Sequence, residues 1–193
     1  TEEMAESFHA AIQAQELARL TKVKSHEDVF VATLLSRLGN MAFWAFSGDK
    51  ATELSELIDS GDLTEAEAEK EVLGFHLNDL TKGLSKSWSL GELLDKSLSG
   101  NNQSDLDVEL ISMGQELAQA AKKGWDEDQT QDVIQSIAAK LEVPVEELRN
   151  ITHDNAKQAK TITKMYGVTE ASRRIPQANF KLVDDVELND VEE

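Results

Sequence analysis

Cysteine is absent from this 193-residue chain. That excludes a disulfide framework, a thiolate metal site and a Cys nucleophile, and it suits a reducing cytoplasm, the location expected here. Proline occurs only twice and aromatics make up 5%, which points to helices rather than a strand-rich fold. No apolar run reaches the roughly 18 residues that a membrane helix needs, and no basic segment followed by an apolar one opens the chain. Basic residues are scarce as well: 19 against 37 acidic, a net charge of −18. A surface this negative repels phosphate backbones and anionic lipid headgroups. Nucleic-acid and membrane binding are therefore not expected; solubility, or an acidic face offered to a basic partner, is.

Apolar residues recur at spacings of three and four throughout, with no sustained period-two alternation. Four stretches, "SHED" at Ser25, "TEAE" at Thr64, "SLGE" at Ser89 and "SDLD" at Ser104, place a hydroxyl three residues before a carboxylate. That is the pattern of a helix-starting capping box. The spacing predicts about eight helices: 4–20, 27–46, 50–58, 64–86, 90–98, 105–124, 131–141 and 145–167. The acidic tail "LVDDVELNDVEE", 182–193, is expected to stay flexible. The chain reads as one all-α domain, 1–181, without internal repeats.

No nucleophile elbow, phosphate loop, dinucleotide fingerprint, HExxH or EF-hand loop occurs. What remains is four histidines. His26, beside a cap, and His153, on a polar flank, read as solvated. His9 and His76 lie next to apolar stripes; His76, among Leu73, Leu77 and Leu80, reads as buried. Asp79 follows His76 by one helical turn, the spacing of half a metal site.

The order of segments from Phe8 to Gly100 resembles the HD superfamily of metal-dependent phosphohydrolases, and more closely its HDOD branch of bacterial signalling proteins. "FHAAIQAQELA" is similar to the early helix of that pattern, with His9 at its histidine. "VATLLSRLGN" falls where "LLHDIG" is expected. "EVLGFHLNDLTKGLSKSWSLGE" is similar to "LG..H..L...L...W.LP", with His76, Leu80, Leu84, Trp88 and Leu90 on the pattern and Gly91 in place of the proline. The resemblance implies an HD/HDOD-like domain, with its HD-like part at about 8–100 and C-terminal helices at about 104–175.

The departures from that pattern lie at the chemistry. The His-Asp dyad, two adjacent ligands for a cation that activates water, is replaced by Ser36 and Arg37. A guanidinium puts a permanent positive charge where the metal would sit. Asn101 and Asn102 stand for the paired histidines, and Met113 and Gly114 for the final aspartate. His9, Ser36, Arg37 and His76 are thus remnant positions, and neither a metal nor another cofactor is expected. The resemblance then implies a non-catalytic module for signal transduction or regulatory protein binding. The competing readings are a phosphohydrolase with an altered site and an acidic protein that binds a basic macromolecular surface. Related proteins carry a further helical half; nothing upstream of Thr1 matches it, so the chain is expected to be cut there or to be a shortened relative. With no chemistry, function falls to a surface. Its candidates are Phe43, Trp44 and Phe46 with the acidic run Glu65, Glu67, Glu69 and Glu71.

Overall fold

The computed structural model describes residues 2–100 and 105–178. Among them are eleven helices and no strand: α1 Glu2–Leu20, α2 His26–Leu35, α3 Leu38–Phe46, α4 Asp49–Ser60, α5 Glu65–Leu73, α6 Leu77–Trp88, α7 Glu92–Ser99, α8 Leu106–Ala121, α9 Asp128–Leu141, α10 Val145–Met165 and α11 Thr169–Arg174. The all-α class is as expected. The tail 182–193, together with Asn101 and Asn102, lies outside the described residues.

The architecture is organised around α1. Its alanines favour helix, and Glu2 and Glu3 in the first turn and Arg19 in the last suit its dipole. Ala10, Ala11, Ile12, Ala14, Leu17 and Ala18 are buried, because α2, α8, α10 and α11 pack around this helix. Small side chains let the backbones approach. A Cβ on Gly114 of α8 would lie 2.6 Å from the Ala10 carbonyl oxygen and 2.6 Å from the Ala14 Cβ. A second close crossing joins α3 to α6, where a Cβ on Gly39 would lie 2.5 Å from the Leu77 carbonyl oxygen. The Gly39 N–H donates to Thr81 Oγ1 there at 3.0 Å. The main core joins α1, α2 and α7–α11. A smaller, separate cluster holds Phe43, Leu54, Ala68 and Leu77, flanked by Trp44 and Leu57.

Several boundaries differ from the sequence reading. The helix expected at 27–46 is two, α2 and α3, broken at Ser36–Arg37. By length and composition alone, residues 26–46 are long and apolar enough to cross a membrane, contrary to the expectation that no run is. Here they are two helices packed against α1, α6, α7 and α8. The helix expected at 64–86 is also two, because Gly74 ends α5 with φ 80°, a left-handed cap that glycine adopts without strain. α11 was not anticipated.

Of the four start signals, Thr64 forms a capping box. Glu67 N–H donates to Thr64 Oγ1 at 3.3 Å, and Thr64 N–H to Glu67 Oε2 at 2.9 Å. Ser25 instead donates to Asp107 Oδ2 at 2.6 Å, tying α2 to the start of α8. Ser89 ends α6 rather than starting α7. Asp105 caps α8, accepting from Asp107 N–H at 3.1 Å, and Ser104 lies outside the described residues.

The glycine crossings lead to a paired test. Gly114→Ala pushes its Cβ into backbone of α1 and is expected to cost about 1–3 kcal/mol or more in urea unfolding, as overpacking does. Gly83→Ala, in the interior of α6 with open space around it, is expected to add up to about 1 kcal/mol by helix propensity. Equal effects at the two sites would show that the α1–α8 contact is looser than described.

Candidate functional site

The dyad position lies in the turn between α2 and α3, at one end of a cleft of about 420 Å³. Its walls come from α1 (Glu6), this turn (Ser36, Arg37), α3 (Asn40), and α8 (Gln115, Gln119). Ser36 is buried. Its hydroxyl donates to the Thr33 carbonyl at 2.7 Å and accepts from Gln115 Nε2 at 2.8 Å. With both roles filled, it serves to pin α2 to α8.

Arg37 turns towards α1. Its Nε donates to Glu3 Oε2 at 2.6 Å, and its terminal nitrogens lie 2.6 Å from Glu3 and 3.2 Å from Glu6. Burial alone would lower the Arg37 pKa, but Glu6 and Glu3 outweigh it and hold the guanidinium charged above its ordinary range. For Glu3, burial dominates and raises the carboxyl pKa despite Arg37. Lys122, the residue that caps the C-terminal end of α8, completes the network, 3.0 Å from Glu6 and 3.6 Å from Glu2. Burial works against the Lys122 charge, yet Glu6 raises its pKa overall. Arg174 of α11 approaches Glu2 at 3.8 Å. Three carboxylates and three cations of the chain thus meet beside the place where a metal would be held.

His9 is 1% exposed and sits deeper, between α1 and α10. Gln13 Nε2 donates to the Thr152 carbonyl at 2.8 Å, and Asn155 Nδ2 donates to Gln13 Oε1 at 2.9 Å. That fixes the amide, so its second N–H points to His9 Nε2 at 3.0 Å. Nε2 is therefore an acceptor and the ring proton is on Nδ1. Burial lowers the His9 pKa to about 4. Trp125 meets the ring edge-on at 5.8 Å.

His76 is neither buried nor inside a helix. It is the residue before α6, its side chain 46% exposed and its Nδ1 3.4 Å from Glu69 Oε2. Asp79 accepts from the His76 backbone N–H at 3.4 Å, so the pair is a helix start rather than half a metal site. The remnant positions are not brought together: His9 belongs to the α1–α10 network and His76 to the α5–α6 junction. Among the described residues no three His, Asp or Glu side chains are grouped to hold a metal ion. The donors also do not fit one, since Ser36 offers only a neutral hydroxyl already engaged by Thr33 and Gln115 and Arg37 supplies a cation of its own. Met113 is core, and Gly114 is the α1 contact.

The other histidines also depart from expectation. His153 is half-buried with its ring 4.7 Å from Trp125, and burial lowers its pKa. His26 is partly buried and its Nδ1 has no hydrogen-bond partner.

Two members of the expected surface belong to the interior. Phe43 is 5% exposed and forms the second core cluster; Glu69 is 8% exposed and accepts from the Leu77 N–H at 3.1 Å, capping α6. Trp44 is half-buried, while Phe46 is 87% exposed. Glu65, Glu67 and Glu71 are exposed, though Glu67 is engaged by Thr64, whose hydrogen bonds lower its pKa. The sequence reading missed Glu3, Glu6, Gln13 and Lys122. Glu6, His9 and Gln13 recur at helical spacing within a run of alanines, which was the available signal.

An all-helical domain, with a partly exposed ionic network joining α1 to the α2–α3 turn and the end of α8, is what this geometry defines. The HDOD domain family model matches residues 2–103, and the chain belongs to that family. Two solved structures share the fold. The "Putative phosphohydrolase" of Shewanella amazonensis SB2B is 22% identical, with a TM-score of 0.57, over 89% of this chain and 62% of that one. An HDOD domain protein with unknown function from Geobacter sulfurreducens is 18% identical, with a TM-score of 0.59, over 90% and 61%. The chain thus spans about three fifths of the length of each. No match is found among curated proteins.

Two measurements test the site. His9 is neutral when folded, so as pH falls through 6.5 the unfolded chain takes up its proton first. Stability is therefore lost between about pH 6.5 and 4, and a shift from 6.5 to about 4 corresponds to about 3 kcal/mol. In His9→Gln, whose amide oxygen can still accept from Gln13, the fall in unfolding free energy from pH 7 to 4 should be smaller by that amount. Parallel curves would refute it. Arg37→Ala leaves Glu3 and Glu6 short of a partner and should cost about 3 kcal/mol at pH 7; a change under about 0.5 kcal/mol would mean the network is slack.

Proposed function

We propose that this chain is a non-catalytic helical module of bacterial signalling or regulation, working in the cytoplasm by binding a protein partner. The observation that carries this reading is Arg37. The residue at the dyad position is committed to Glu3 and Glu6, so the position that would hold a water-activating cation serves to join α1 to the α2–α3 turn. The family membership is consistent with such a role without specifying it. A phosphohydrolase reading would require a divalent ion to compete with a tethered guanidinium for the same carboxylates.

A surface for the partner is offered by Trp44 and Phe46 on α3. Trp44 lines a cleft of about 500 Å³ together with Ile58, Asp59 and Glu65. Apolar surface supplies affinity, at roughly 25 cal/mol per Å² before ordering costs. Acidic groups around it mainly speed the approach of a basic partner. The intact chain used as bait identifies the partner, and surface-bound kinetics then separate the two contributions. Trp44→Ala is expected to raise the dissociation rate about tenfold, the equivalent of 1.4 kcal/mol. Glu65→Gln with Glu71→Gln is expected to slow association several-fold at low salt and little at high salt. Unchanged dissociation in Trp44→Ala would overturn the anchor, and stoichiometric manganese or iron with phosphatase activity would overturn the reading as a whole.

A further inference from the structure

Beside the cleft at Ser36 lies a second cavity, of about 240 Å³, between α1, α8 and the end of α11. A single water takes about 30 Å³ of liquid, so there is room for a small molecule. Glu2, Glu6, His9, Lys122 and Arg174 provide its polar wall. Ala5, Ala118, Ile175 and Pro176 provide an apolar one. The Trp125 indole N–H donates to the Pro176 carbonyl at 3.2 Å, which holds the apolar wall in place.

The group that distinguishes this cavity is His9. Its Nε2 is taken by Gln13, but Nδ1, the nitrogen carrying the proton, makes no hydrogen bond although the ring is almost wholly buried. His9 lines the cavity, and its Nδ1 is not one of the atoms shut away from solvent without a partner, as Ser7 Oγ is. A buried donor left open on one side calls for an acceptor. The charges narrow its nature. Glu6 is matched by Lys122 and Arg37, whereas Arg174, with its side chain 57% exposed, has only a loose contact with Glu2 at 3.8 Å. The available valences are thus a neutral N–H at the back and an under-used guanidinium near the mouth.

We infer that this cavity binds a short-chain carboxylate, one oxygen accepting from His9 Nδ1–H, the charge set against Arg174, and the alkyl part on Ile175 and Pro176. A monoanion suits it better than phosphate, because Glu2 and Glu6 add repulsion for each further negative charge. A cation would face Lys122 and Arg174. The neutral imidazole keeps the donor in place across ordinary pH. The cavity shares Glu2 and Arg174 with the Trp44 cleft, whereas His9, Ile175 and Pro176 line it and not that cleft.

The test follows the His9 Nδ1 resonance by NMR, and Tm alongside, while straight-chain carboxylates of one to five carbons are added to the full chain at pH 7. Sodium chloride and inorganic phosphate at matched ionic strength serve as comparisons. A saturable shift and a rise in Tm with at least one carboxylate are expected, and chloride should give neither. Arg174→Gln should weaken binding at least tenfold without lowering the ligand-free Tm, and Trp44→Ala should leave it unchanged. Absence of any saturable shift, tighter binding of phosphate, or insensitivity to Arg174→Gln would overturn the assignment. Equal loss in Trp44→Ala would also overturn it, by moving the event to the neighbouring cleft.

Discussion

The close approach of α1 to α8 is the constraint on which the rest of the molecule depends. Ala10 and Ala14 face Gly114 with no room for another carbon, so α1 is enclosed by its neighbours over much of its length. A polar side chain on the enclosed faces of such a helix is cut off from bulk water, and a partner inside the protein offsets that cost. Glu6 is joined to α8 and the α2–α3 turn, and Gln13 to α10. Each bond also sets how far its partner helix can slide along α1. The small residues decide the spacing, and the buried polar residues decide the register.

This helix also carries the ionic network around Arg37. A divalent ion would gather ligands from several helices and thereby lock them together. Arg37 with Glu3, Glu6 and Lys122 links the same region through side chains the protein already carries. Removing the whole set in favour of apolar residues need not be costly, whereas removing one member leaves a charge stranded in a partly enclosed place. Such a network resists piecemeal change. It holds the geometry through contacts that the protein supplies itself.

The helical class and most of the helices were legible because apolar spacing is a local signal. The missed breaks have local causes as well: Gly74 adopts a left-handed conformation, and the Ser36–Arg37 turn interrupts a run whose composition is uniformly apolar. Ser89 shows why the start signals were unreliable. A serine three residues before a carboxylate can equally follow the last turn of the preceding helix, and only the backbone decides between them. At the site, the expectation that the dyad is replaced rests on two letters, Ser36 and Arg37. The partners of Arg37 could not be read that way, since Glu3 lies 34 positions away and the pairing depends on how α1 crosses the turn. Phe43 and Glu69 were misplaced because exposure was assigned to whole runs: Phe43 and Phe46 share one side of α3, but Phe46 is the helix's last residue and faces water while Phe43 packs in the second cluster.

The two hydrophobic clusters have unequal size, and this bears on how the molecule breathes. The larger one binds α1 to most of the chain, while the smaller rests on only four fully buried side chains between α3, α4, α5 and α6. Opening the smaller unit exposes less apolar surface, so its amide protons should exchange with solvent through partial excursions that leave α1 intact. Trp44 packs on that smaller cluster. The surface proposed for a partner would therefore be mounted on the part of the domain with the smaller core, and a partner bound there would register as quieter fluctuations without any shift in the bundle's mean shape.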